Sequence, residues 1–240
     1  MTQSPPPLLL LPGMLCDARL WSDVRSRLAQ GSTAAVGEIR VPDLDRQVTI
    51  AEMADTVLAQ APERFDLAGF SMGAIVALEI ARRVPERLGH LVLMNTTARP
   101  DTAERKGVRV RQIYRAQTGE FRDVVVEDLK PRYFAPGTPN LGNLRRLVVG
   151  MALDLGVDVF RRQSLALMGR PDSRPTLPAI STPTLVLAAD ADNLCPVAIH
   201  EEIHRLIPGS RFSVLSQCGH MAPLERPAEV AAALTDFLSS

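Results

Sequence analysis

The five residues Gly69-Phe70-Ser71-Met72-Gly73 constrain this chain more than any other stretch. They spell G-x-S-x-G directly after the apolar run Phe65-Asp66-Leu67-Ala68-Gly69. They also lie directly before a helical pattern, Met72 to Arg83, in which Ile75, Val76, Leu78 and Ile80 recur at helical spacing up to Pro85. A buried strand that passes straight into a helix must turn tightly. A Cβ at 69 or 73 would crowd the neighbouring backbone, so glycine is required on both sides of Ser71. In this context Ser71 is a candidate nucleophile.

A serine hydroxyl attacks poorly unless a base takes its proton, so the elbow calls for a histidine held by a carboxylate. Thr184-Leu185-Val186-Leu187-Ala188-Ala189 reads as a buried parallel strand and runs into Asp190-Ala191-Asp192-Asn193 ahead of Pro196, leaving two candidate carboxylates past a strand end. Arg211-Phe212-Ser213-Val214-Leu215 reads as the last strand. After it, Cys218-Gly219-His220-Met221 places a histidine on a loop before a C-terminal helix over Pro227 to Leu238. Met72, the residue after the serine and the first of a helix, offers an unpaired backbone N–H for the negative charge that builds on an attacked carbonyl oxygen.

Taken together, Leu9-Leu10-Leu11-Pro12-Gly13-Met14, Gly69 to Gly73, Asp192 to Pro196, and Gly219-His220 with Pro223-Leu224-Glu225-Arg226-Pro227 resemble the α/β-hydrolase-fold serine hydrolases of the small capped esterase and lactonase type. The resemblance covers essentially the whole chain. It implies a catalytic triad of Ser71, Asp192 and His220, choosing Asp192 over Asp190 by its offset from the strand end and from Pro196. It also implies an oxyanion hole made by the Met14 and Met72 amides, and it puts Asp17 and Trp21 near the site's mouth. Two departures stand out: Ala189 replaces the usual glycine, and Pro12-Gly13 replaces the commoner His-Gly. No cofactor or metal is implied.

The organisation fits that fold. Residues 7–12, 36–41, 65–69, 90–95, 184–189 and 211–215 read as strands separated by helical patterns, which implies a mostly parallel, doubly wound α/β sheet without an N-terminal antiparallel hairpin. Between Arg99 and about Ile180 the alternation stops. Helical stretches near 102–117, 120–130, 140–154 and 157–169 follow instead, broken by Pro131, Pro136, Pro139 and Gly156. The expected division is therefore a hydrolase core over 1–98 and 181–240 with a helical cap over 99–180 inserted between core strands. Tyr114, Phe121, Tyr133, Phe134, Met151, Phe160 and Met168 are candidates for cap core or pocket lining.

The 240 residues carry 27 basic and 27 acidic side chains and are 46% hydrophobic, enough for one large core and no nucleic-acid footprint. Arg109-Val110-Arg111 and Arg145-Arg146 read as solvated helix faces. The N-terminal run from Ser4 through the three prolines to Leu11 lacks a basic start and the length of a signal peptide or membrane span, so a cytoplasmic protein is expected, monomeric or weakly dimeric. The three cysteines form no framework and no metal spacing and read as small hydrophobes. His90, at the start of a strand, reads as structural. His200-Glu201-Glu202-Ile203-His204 matches the H-E-x-x-H zinc signature, yet lacks a convincing third ligand and falls on a helix expected on the sheet's outer flank. The expected activity is cleavage of a small-molecule ester or lactone through an acyl-enzyme. C–C bond hydrolysis, acyl transfer or perhydrolysis, and a slow-turnover ligand receptor are the alternatives.

Overall fold

The computed structural model describes residues 5–30, 36–131 and 133–240; Ser4 of the N-terminal run lies outside them. Six strands form one sheet in the order β2-β1-β3-β4-β5-β6, every neighbouring pair parallel: β1 (Leu8–Leu11), β2 (Ile39–Arg40), β3 (Phe65–Phe70), β4 (Leu88–Met94), β5 (Thr184–Ala189) and β6 (Arg211–Leu215). Six strands were expected and six are found, although β2 keeps only two residues of the run expected to form it.

The sheet is covered on both faces, which is why its inner strands are largely apolar, while the edge strands β2 and β6 are partly exposed. Leu8, Leu10, Phe70, Val92 and Leu187 enter one core with α1 (Ser22–Gln30) and α9 (Pro227–Leu238). Leu9, Leu11, Leu67, Leu93 and Val186 enter the other with α2 (Ile50–Gln60), α3 (Met72–Arg83) and α7 (Val197–Leu206). The chain leaves β1 toward β2 on one side and returns as β3 on the other. The strand order therefore reverses between β1 and β3, and their carboxyl ends frame a crevice where ligands of open α/β sheets bind.

Pairing of Leu11 with Gly69 sets the turn after β1 against the turn after β3. The two glycines of the elbow are fixed by this closeness. A Cβ on Gly69 would meet the Ala74 backbone at 2.5 Å, and one on Gly73 would collide with the Leu11 carbonyl.

Between β4 and β5 the chain builds α4 (Ala103–Arg115), a wider-wound stretch through the single turn α5 (Phe121–Asp123), and the long α6 (Leu141–Met168). α6 breaks at Gly156 (φ 84°), where the sequence places a gap between helical stretches. This insertion has a core of its own, in which Val124, Ala152 and Phe160 pack against Leu15 from the turn after β1. A short helix, α8 (Ala222–Glu225), precedes α9. Among the described residues no helix is long and apolar enough to cross a membrane.

Candidate active site

Ser71 occupies the sharp turn between β3 and α3 with φ 54° and ψ −113°, a left-handed conformation that a side-chain-bearing residue adopts only when its surroundings enforce it. Here the surroundings do so. The Ser71 N–H donates to the Met94 carbonyl (2.9 Å), and its carbonyl accepts from the Thr96 hydroxyl (3.0 Å) and the Ala74 N–H (3.1 Å).

His220 Nε2 lies 3.1 Å from Ser71 Oγ, and its Nδ1 lies 2.8 Å from Asp192 Oδ2. An ionised carboxylate only accepts, so Nδ1 carries the proton and Nε2 is left to accept from the serine hydroxyl. Asp192 is buried in the turn after β5. Its Oδ1 accepts from the Leu194 and Cys195 N–H groups (2.8 and 2.9 Å), and Oδ2 also accepts from Asn95 Nδ2 (3.0 Å). Burial pulls its pKa upward, but the neighbouring His220 charge and these donors outweigh it and hold the carboxyl below the usual range.

Asp190 has a different task. It is exposed and accepts from the Gln217 and Cys218 N–H groups (2.9 and 3.1 Å), fastening the loop that leads to His220. Glu225 fixes the other side of that loop. This buried carboxylate accepts from the Gly219, Met221 and Ala135 N–H groups and from the Thr138 hydroxyl, tying the histidine loop to the insertion.

The Met14 and Met72 N–H groups donate no hydrogen bond among the described residues. The turn that presents Met14 is held from the insertion: Gln163 of α6 accepts the Leu15 N–H (2.8 Å) and donates to the Leu44 carbonyl (2.7 Å), with Leu15 itself at φ 53°. Ser71, His220, Met14 and Met72 all line a cavity of about 1010 Å³.

The cavity wall differs from expectation. Of the aromatic and methionine candidates for cap core or pocket lining only Tyr133 reaches it; Met151 and Phe160 are buried in cores, Phe121 packs at a tilt on Phe160, and Tyr114 is 69% exposed. Neither Asp17 nor Trp21 lines it. Asp17 caps a helical turn by accepting from the Arg19 N–H (2.9 Å), and Trp21 packs edge-on against Phe70. Arg109, read from sequence as a solvated helix residue, is buried in the wall, its Nε 2.7 Å from Asp101 Oδ2. Its partner lies eight residues away and therefore off the i, i+4 pattern that flags helical ion pairs. Asn95, Thr96 and Gln163 were missed as well: Asn95-Thr96-Thr97 past a strand end and Gln163 between Arg162 and Ser164 carry no motif.

The histidines of the H-E-x-x-H stretch are otherwise employed. His200 does not lie on an outer flank; it is fully buried behind the site, where its Nε2 accepts the Thr96 N–H (2.9 Å) and Nδ1 faces the Pro196 carbonyl (3.3 Å). His204 pairs with Ser210 and stacks on Phe212. His90 bonds to the buried Asp66. One group, Asp192, Cys195 and His220, brings three metal-capable side chains together. It does not fit an ion: Asp192 and His220 are bonded to each other, and burial pushes the Cys195 thiol up, away from the thiolate that binds metal.

Comparison with known proteins agrees with this fold. The model of the alpha/beta hydrolase family matches residues 8–233. A pimeloyl-acyl-carrier-protein methyl ester esterase of Aromatoleum aromaticum is 26% identical over 254 residues, covering 97% of this chain and 98% of its own. A thermophilic esterase from Thermogutta terrifontis, solved with malate bound, superimposes with a TM-score of 0.86 at 31% identity, over 100% of this chain and 92% of the other. The enol-lactonase from Burkholderia xenovorans shares the fold at TM-score 0.83 and 21% identity, covering 98% and 92%. The chain belongs to the alpha/beta hydrolase family.

Proposed function

We propose that the protein is a carboxylic ester hydrolase that cleaves a small ester or lactone through an acyl-enzyme on Ser71. The observation that carries this reading is the hydrogen-bonded line from Ser71 Oγ through His220 to Asp192, at 3.1 and 2.8 Å, opening into the cavity. Ser71 Oγ attacks the ester carbonyl carbon while His220 Nε2 takes its proton. The oxyanion is met by the free Met14 and Met72 N–H groups, the latter at the N-terminus of α3. His220 then protonates the departing alkoxide, and the C–O bond to the alcohol breaks. Water attacks the acyl carbon with the same base, releasing the acid and restoring Ser71. Throughout, Asp192 keeps Nδ1 protonated and stabilises the imidazolium. The esterase names of the relatives support the same chemistry.

The insertion over 99–180 serves as a cap that shapes the cavity and excludes water. A cytoplasmic monomer or weak homodimer is part of the same reading, checked by cell fractionation and by size-exclusion chromatography over a concentration series.

Turnover of p-nitrophenyl esters of increasing acyl length, with lactones beside them, tests the activity. Ser71→Ala is expected to lower kcat by roughly 10⁴- to 10⁶-fold with folding unchanged, and a fluorophosphonate probe is expected to label Ser71. Full activity in Ser71→Ala, or a label on another residue, would overturn the assignment.

A further inference from the structure

The wall opposite the elbow carries an imbalance of buried charge. Asp101 is shared by two guanidinium groups, its Oδ2 2.7 Å from Arg109 Nε and its Oδ1 2.8 Å from Arg170 NH1, and all three side chains are at most 8% exposed. One carboxylate against two cations leaves an excess of one positive charge. Both arginines line the same cavity as Ser71 and His220.

The excess is local. At the rim the charges cancel: Arg99 pairs with Glu202, Arg115 with Asp128, and the exposed Arg105 and Arg111 stand among Glu104 and Glu127. At the base they do not. Arg109 spends NH1 on the Met14 sulfur, a weak acceptor, at 3.7 Å, and NH2 has no acceptor among the described residues. Arg170 gives Nε to the Arg99 carbonyl and also leaves NH2 free. A further cation of the insertion, Lys130, does not itself line the cavity but is 4% exposed, its Nζ without a hydrogen-bond partner among the described residues and set 4.4 Å from the centre of the Tyr133 ring, which in turn packs on His220. An uncompensated buried charge is costly, and two forked guanidiniums with unused donors match the planar geometry of a carboxylate.

We propose that the cavity takes an ester that also carries a carboxylate, and that Arg109 and Arg170 bind this anionic end while the ester carbonyl lies at Ser71. The inference deepens the ester-hydrolase reading and rests on it. Arg109 and Arg170 are then specificity-determining residues, and Asp101 is the counter-ion that tempers them.

The test compares monomethyl esters of succinic, glutaric and adipic acid with neutral methyl esters of matched length, and places the carboxylate on the alcohol side in a third series. The wild-type protein is expected to favour one of the anionic series in kcat/KM. Arg109→Gln is expected to reduce that preference roughly 10- to 100-fold, mainly through the KM of the anionic esters. Arg109→Lys should fall between, and Asp101→Asn should keep or raise the preference. A purely structural role for Arg109 would lower all series together. No anionic preference in the wild type, or a preference unmoved by Arg109→Gln, would overturn the inference while leaving ester hydrolysis standing. If no series is turned over, the ester-hydrolase reading fails, and calorimetric titration of Ser71→Ala with monomethyl against dimethyl glutarate still decides the anion site. Tighter binding of the half-ester, lost in Ser71→Ala/Arg109→Gln, supports it; equal binding overturns it.

Discussion

At the cavity the strand-end loops and the helical insertion hold their buried carboxylates by different means. Asp192 is fixed by two backbone amides, an asparagine and the histidine it serves, whereas Asp101 is held by the side chains of two arginines. Asp190 and Glu225 repeat the first arrangement, accepting backbone N–H groups on either side of His220. Backbone donors are set by the fold and do not depend on a neighbour's rotamer, so they suit a group that must stay in place through a reaction cycle. Cations carried by the insertion suit selection, because a wall of side chains can be altered without disturbing the elbow.

The largest effect should appear where that comparison is tested most directly. Asp192→Asn keeps the shape but removes the charge that fixes the His220 tautomer, and kcat is expected to fall by roughly 10⁴-fold, as when a serine protease triad loses its acid. Asp190→Asn touches only the loop, so its kcat should stay within about tenfold of wild type, with a stability loss on the order of 1 kcal/mol in urea unfolding. The reverse ranking in kcat would move the acid to Asp190.

A smaller loss is expected at Asn95. It is fully buried at φ 47°, its Nδ2 donates to Asp192 Oδ2, and its Oδ1 has no partner among the described residues, so its role at the acid is that of a donor. Asn95→Leu fills similar space without that bond and should lower kcat by roughly 10- to 100-fold, the worth of a hydrogen bond to a charged group. It also frees the Asp192 pKa to rise, so the acid side of the pH–rate profile should shift upward. A profile and kcat identical to wild type would show that the backbone amides alone suffice.

Gln163 joins the two regions, since a side chain of α6 holds the turn that offers the Met14 amide. Gln163→Leu orphans the buried Leu15 N–H and is expected to cost about 1–3 kcal/mol of stability. It should slow kcat by about tenfold with KM little changed, because the oxyanion donor is misplaced only when charge develops. The preference between anionic and neutral esters should not move, in contrast to Arg109→Gln. A KM effect without a kcat effect would place Gln163 with the wall rather than with the chemistry.

How much of this was legible in the sequence follows the same division. Ser71 and His220 were legible from order and turn chemistry, with glycines where a Cβ cannot fit and a histidine on the loop after the last strand, whereas choosing Asp192 over Asp190 past the strand end rested on the resemblance to a known family. The four inner strands were legible because both their faces are buried, and the break at Gly156 because glycine alone takes φ 84° without strain. The wall was not legible. Asp101, Arg109 and Arg170 come together only when α4 and the segment after α6 fold over the sheet, and arginine on a helix usually reads as solvent-exposed. The position of His200 was misjudged because helical spacing gives the face of α7 but not how far that helix reaches toward the strand ends.

The smallest expected effect distinguishes the two buried histidines beside the cavity. His220 must be neutral to accept the serine proton, so its loss removes the base itself. His200 only accepts the Thr96 N–H, and Thr96 in turn donates its hydroxyl to the Ser71 carbonyl, so it acts as a prop. Burial lowers the His200 pKa in the folded protein, while the unfolded chain keeps a histidine value of about 6.5. Between those two values the unfolded chain binds a proton that the folded protein does not. Stability is therefore complete above about pH 6.5 and is lost as pH falls toward the depressed folded value. His200→Gln retains an acceptor for Thr96 and cannot titrate. It should leave kcat at pH 7.5 within about threefold of wild type, and it should remove on the order of 1 kcal/mol of the stability loss between pH 7.5 and 5.5, read as the difference between the two proteins in urea unfolding. His220→Gln should do the opposite, nearly abolishing turnover. If His200→Gln abolished activity instead while His220→Gln spared it, the base would be at His200 and the assignment of the strand-end site would fall.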